Sequence, residues 1–310
     1  MSTQRPNLWR LISESSHIIG AQPRHFSALS VLFLLPISIS TLIYQFLLRP
    51  DSIRSGYGRS QLHIQITYLI FATVFGLCGS ASITYSTVRG FYGKRVTLTS
   101  SLKSIMVSFY LLLSTKLVAQ IIVALVIFGF GVSMVLAYNG LLLLGLEMDY
   151  DSLYFLIFVI LIAALVVAAM IYVEVGWCLT TAVVVVESRW GFAPLKRSWH
   201  LVKGMRWVAF SKVVVFLILG GLLSMWYTIV VAKSGGGGGN GWKSWGFCLQ
   251  AIVCANILTV FLLYSVTATA VLFIHCRALH GEDMAAFHKS DEEEEFGGEY
   301  EYLPLPFSNV

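Results

Sequence analysis

Between Leu153 and Val186 the chain runs for 34 residues with a single charged side chain, Glu174. A helix needs about 20 mostly apolar residues to cross a hydrocarbon core of roughly 30 Å. Five further windows meet that length: Ser27 to Leu48, Ile64 to Ser86, a stretch within Leu117 to Gly145, Trp207 to Val231, and Phe247 to His275. Across all 310 residues, 57% are hydrophobic, 12% are charged, and the mean hydropathy is +0.77. A soluble domain carries about 25% charged residues. Half that charge is missing, and what remains is clustered between apolar runs. This excludes a cytosolic globular enzyme and equally a disordered chain.

In lipid every backbone polar group must be satisfied within the protein, so helices or a closed barrel are the only spanning structures. The runs lack the two-residue alternation of barrel strands. The expected fold is therefore all-α: a polytopic membrane bundle of about six transmembrane helices with short cytosolic interfacial helices. The second window is rich in small residues (Ala72, Gly76, Gly79, Ser80, Ala81, Ser82) that let helices approach closely. The run from Leu153 to Val186 would measure about 50 Å as one helix. It must tilt, break near Glu174-Val175-Gly176, or project beyond the bilayer.

Lys and Arg set the orientation. The N-terminal segment, the second loop, the fourth loop with Lys212 at the start of the fifth span, and the tail hold 16 of the 21 bases; the opposite side holds Arg49, Arg54, Arg59, Lys233 and Lys243. Both termini are expected in the cytosol, which requires an even number of spans. The first span is longer than the roughly 7–15-residue core of a cleavable signal and reads as a signal anchor. Three regions follow: residues 1–26 as a cytosolic segment, 27–276 as the transmembrane domain, and 277–310 as an acidic, disordered cytosolic tail. The five cysteines lie in or at the ends of spans without a CxxC pair, which argues against a disulfide framework. Cys276 reads either as a palmitoylation site or as an inert small hydrophobe.

Outside the lipid, residues 7–20 bring Leu8, Trp9, Leu11, Ile12, Ile18 and Ile19 near one helical face. A helix lying on the membrane surface and a helix packed on the bundle both satisfy that pattern. Glu147, Asp149 and Asp151 fit a solvated outer turn better than a calcium loop, which needs more ligands and a fixed Gly. Gly235 to Gly239 form a flexible connector. The tail carries an acidic run, Asp291 to Glu295, followed by Tyr300 with Leu303 and Tyr302 with Leu305. Both pairs fit the tyrosine-x-x-hydrophobic pattern that binds cytosolic sorting adaptors in extended form.

Ionisable groups inside spans are costly and are functional-site hypotheses by default. Glu174 lies 13 residues before Glu187, and Lys116 lies 13 after Lys103. Both then sit about 20 Å from a cytosolic helix end, which predicts a Lys116–Glu174 ion pair between adjacent helices. In each of loops two and four an aromatic-glycine turn leads into a short helix. Loop four puts Leu195, Trp199 and Val202 on one face and turns Lys196, Lys203 and Arg206 largely off it, with Arg197 completing a basic set expected to meet anionic headgroups. No folded nucleic-acid-binding module accompanies these bases. The chain has no GxSxG, Walker lysine or HExxH, so no catalytic residue and no cofactor is expected. Of the seven histidines only His275 and His280, with Cys276, approach metal-ligand spacing, and without suitable acidic partners no metal site is expected.

The N-terminal Leu-Trp-Arg-Leu-Ile-Ser-Glu-Ser helix, the six spans, the phrase from Ala193 to Trp207 and the acidic Glu-Tyr-Glu-Tyr-Leu-Pro-Leu end together resemble a group of plant multi-pass membrane proteins without an assigned biochemical role. The loop-four phrase is also similar to the six-helix membrane domain attached to some bacterial glycerophosphodiester phosphodiesterases. The catalytic domain of those enzymes is missing here, so their activity does not carry over. The resemblance implies a fold and an endomembrane or plasma-membrane home, and supplies no active-site residues. The expected function is non-enzymatic: organising membrane lipids or partner proteins. The rival is a transporter or channel with a polar path near Lys116 and Glu174.

Overall fold

The computed structural model describes residues 7–47, 58–93, 97–143, 153–235 and 245–281. Every regular element among them is helical: α1 (Leu8–Ala21), α2 (Pro23–Leu29), a π turn (Ser30–Leu34), α3 (Leu35–Leu47), α4 (Gly58–Phe91), α5 (Leu98–Leu143), α6 (Leu153–Trp177), α7 (Thr180–Glu187), α8 (Ala193–Leu201), a 3-10 turn (Val202–Gly204), α9 (Arg206–Gly235) and α10 (Trp245–Leu279). Six spans result, formed in order by α2–α3, α4, α5, α6–α7, α9 and α10, each long and apolar enough to cross a bilayer. The all-α bundle is the expected one.

Proline explains the shape of the first span. Pro36 has no N–H to donate, and its ring presses on the carbonyl four residues earlier. The preceding turn widens: Leu35 N–H reaches back five residues to the Ser30 carbonyl. Serine hydroxyls satisfy carbonyls around the bulge, Ser30 donating to Phe26 at 2.7 Å and Ser38 to Leu34 at 3.0 Å. The widened turn meets α4 at Gly79, where an added Cβ would sit 3.1 Å from Phe33 Cβ. This is the close approach that the small residues of the second window anticipate.

The core lies toward the end of the bundle where α1 and α8 join it. Phe26, Leu29, Ile83, Val183, Leu201, Leu272 and Phe273 are buried there in one cluster. Away from that end the third and fourth spans turn side chains such as Leu125, Phe128, Leu136 and Leu161 outward, as suits helices whose solvent is lipid.

Two expectations change, and one alternative is decided. The second loop adds no separate helix: its residues from Leu98 continue into the third span as one helix of 46 residues. At 1.5 Å per residue this is about 70 Å, far longer than the hydrocarbon core, so one end projects beyond it. The fourth span breaks at Cys178–Leu179, slightly later than expected. α1 packs on the bundle, burying Leu11, Ser15 and Ile18, while Trp9 points outward. The acidic third loop, most of the glycine connector and the tail from residue 282, with Tyr300, Leu303, Tyr302 and Leu305, lie outside the described residues.

Candidate functional site

A broken helix leaves backbone donors and acceptors without partners, and in a membrane they cannot borrow water. The break after Trp177 is closed by one side chain from α8. The Ser198 hydroxyl donates to the Gly176 carbonyl at 2.8 Å and accepts from the Leu179 N–H at 3.3 Å. Ser198 is fully buried. Its neighbour Trp199 presses against Gly176, so closely that a Cβ there would fall 2.0 and 2.2 Å from two ring carbons. Tyr172, one turn earlier, meets the same indole edge-on at 5.1 Å. Pro194, Leu195 and Leu201 complete the buried face of α8.

The turn between α7 and α8 is fixed at both ends. Ser188 adopts φ 50° and returns its N–H to the Val184 carbonyl, ending α7. Gly191 follows at φ 72°, where a side chain would be strained. Glu187, itself nearly buried, holds Arg197 Nε at 3.3 Å and Arg189 Nε at 3.2 Å. Arg197 is thus built into the hairpin. Lys196, Lys203 and Arg206 are exposed, with Trp190, Phe192 and Trp207 exposed among them. Trp207 stacks on Phe210 with ring centres 5.7 Å apart. Lys196 on α8, Lys203 in the 3-10 turn and Arg206 at the start of α9 thereby place three outward bases among outward aromatic rings, beside a hairpin locked to the bundle.

Lys116 and Glu174 both lie exposed on their helices, and the ion pair expected between them is not formed. Lys212 is buried, donating to Thr269 Oγ1 at 2.6 Å and lying 5.5 Å from the centre of the Phe216 ring. Thr269 in turn donates to the Ser265 carbonyl at 2.8 Å. Sequence reasoning grouped Lys212 with the loop-four bases. The signal was present, since Ala209, Lys212, Val213 and Phe216 form an i, i+3, i+4, i+7 stripe.

At the same end α1 is latched to α10. Glu14 accepts from His275 Nε2 at 2.5 Å and from Arg10 Nε at 3.0 Å. Burial opposes its ionisation, but hydrogen bonds and charge from His275 and Arg10 outweigh it and hold the carboxyl below its ordinary value. Nearby, His25 Nε2 and the hydroxyls of Ser86 and Ser101 join the first three spans through contacts of 2.9 Å. Ser86 is fully buried, which leaves no approach for a substrate. Most other buried hydroxyls return to their own helix one turn back, as Thr87 does to Ile83 and Thr267 to Leu263. Among the described residues no cluster of three or more metal-ligating side chains occurs, and all five cysteines are free. Cys276 is fully buried, matching the inert reading. Toward the other end, Ser40, Tyr44, Thr67, Tyr68 and Phe71 help line an apolar groove of about 410 Å³ between the first two spans.

Residues 51–310 match the family model described as Domain of unknown function (DUF8558), and the chain belongs to that family. No curated protein and no solved structure matches it.

Proposed function

We propose that this member of the DUF8558 family is a non-enzymatic membrane protein that gathers anionic lipids around the α7–α8 hairpin, with that end of the bundle facing the cytosol. The observation that carries the reading is the hairpin itself. Lys196 on α8, Lys203 in the turn after it and Arg206 at the start of α9 are exposed among Trp190, Phe192 and Trp207, around a helix anchored by Ser198 and Trp199. Each base near an anionic surface contributes about 1 kcal/mol. Amphipathic aromatic rings favour the headgroup level, so they set the depth at which those bases work. A rigid mount matters because the side chains then converge without a further ordering cost. The hydroxyls folded back on their own helices favour a dry interior over a continuous polar path. Sorting adaptors remain proposed partners through Tyr300, Leu303, Tyr302 and Leu305.

The test is to purify the protein in native lipid discs and identify retained lipids by mass spectrometry. Lys196, Lys203 and Arg206 replaced by Gln should lose an anionic class that the wild type keeps. An unchanged lipid profile would discard the reading.

A transport role is the second reading, and one observation favours it: a lysine buried between the fifth and sixth spans and bonded to Thr269. The polar path proposed near Lys116 and Glu174 then centres on Lys212. A flux abolished by Lys212→Met, with the protein still folded, would move the assignment to transport.

A further inference from the structure

We propose that His200 and His280 form a binding site for a divalent transition-metal ion of the zinc or copper class, clasping α8 to the end of the sixth span. The two residues come from elements far apart in sequence, yet their ring centres are 5.5 Å apart with planes tilted by 48°. A tetrahedral ion bound to one nitrogen of each ring at about 2.0–2.1 Å sets the ring centres about 5 Å apart. The observed pair already stands near that separation.

The chemistry of His280 fits the role. Its Nδ1 lies 2.8 Å from the Cys276 carbonyl, which can only accept, so Nδ1 carries the proton. The neutral ring then presents Nε2 as its free lone pair. A ligand histidine whose other nitrogen donates to a backbone carbonyl is the usual outer-shell arrangement of metal sites, because it fixes both tautomer and orientation. The Cε1 atom beside Nε2 faces Gly204, one turn beyond His200, with 3.9 Å between Cε1 and the position a Cβ would take. Leu279, which lies nearer still to Gly204, fills the space beside it. His200 is exposed and His280 half-buried, so an ion can enter from the medium. With two protein ligands among the described residues, the remaining positions fall to water. Spacing along a single helix misses this site, because His200 belongs to α8 and His280 to the turn just after α10.

An ion here ties the hairpin that carries Lys196 and Lys203 to the last span, which goes beyond lipid contact. The experiment uses the full chain in lipid discs, stripped with chelator and titrated calorimetrically with Zn²⁺ alone. The wild type should take up one equivalent. His200→Gln and His280→Gln should each weaken uptake by about tenfold or more, while His63→Gln, in the other half of the bundle, should leave it unchanged. Thermal unfolding in chelator checks that each variant is folded. In parallel, Cu²⁺ added to wild type should give electron paramagnetic resonance coupling to two imidazole nitrogens, reduced to one in either variant. No stoichiometric uptake, or uptake that survives both substitutions, would overturn the proposal and leave the two rings as a packing contact.

Discussion

Ser198 satisfies two backbone groups with one hydroxyl, so its removal exposes both at once. A buried polar group left unpaired costs about 1–3 kcal/mol. Ser198→Ala should therefore lower the unfolding midpoint in lipid discs well beyond what an exposed alanine substitution such as Ser13→Ala does. An unchanged midpoint would mean that the break is held by something else. Lys212 offers a second case. Thr269→Val strands a buried ammonium, whereas the Lys212→Met/Thr269→Val double change removes both sides of the contact. Breaking one partner of a buried charged contact costs more than replacing both with apolar groups, so the double variant should be more stable than Thr269→Val alone. For Glu174 and Lys116 the opposite holds. They do not pair, and the effects of Glu174→Gln and Lys116→Met on stability should add within about 0.5 kcal/mol. A coupling larger than that would restore the pair.

The docking of α8 concerns whole elements, and Gly176 is its narrowest point. Gly176→Ala forces a methyl into the Trp199 ring and should cost about 1–3 kcal/mol, as overpacking does. Combined with Trp199→Ala, its added cost should largely vanish, because the two side chains occupy one space; full additivity would show that the close approach is unimportant. The docking of α1 depends on pH through Glu14. Its folded-state value is lowered, so the ionised carboxyl favours the docked helix above its ordinary value of about 4.3 and that contribution fades as pH falls through the folded-state value. In a protein without native cysteines, a spin label at position 13 should become more mobile in that acid window, and Glu14→Gln should remove the response. Much of this level was legible in the sequence. Six spans follow from apolar length, and the buried face of loop four follows from its spacing, although Ser198 joins that face and Arg197 turns inward to Glu187. The site of the break was less legible, because a Gly-Trp-Cys-Leu stretch shows nothing until a serine about twenty residues later reaches it. Equal depth suggested the Lys116–Glu174 pair, but depth is one coordinate: which way each helix faces decides the partner, and both side chains stay exposed on their own helices.

For the molecule as a whole, the end of the bundle that holds α1, α8 and the finish of α10 gathers the exposed Lys196, Lys203 and Arg206, the aromatic rings around them, the latch at Glu14 and the paired histidines. The opposite end carries the apolar groove and, among its exposed side chains, the hydrophobic flanks of the third and fourth spans. The proposed function rests on that rim, where bases and aromatic rings stand around one rigid mount. In sealed vesicles of known sidedness, a single cysteine at position 203 should label only from the cytosolic side and one at position 153 only from the other. The most direct test of the lipid-gathering claim uses spin-labelled phosphatidylserine and phosphatidylcholine with the protein in vesicles. Electron paramagnetic resonance then reports the fraction of each lipid immobilised at the protein. The account predicts that phosphatidylserine is preferred, that the preference falls with added salt as the charges are screened, and that replacing Lys196, Lys203 and Arg206 by Gln brings the two lipids level. Equal immobilisation of both lipids by the wild-type protein would contradict it.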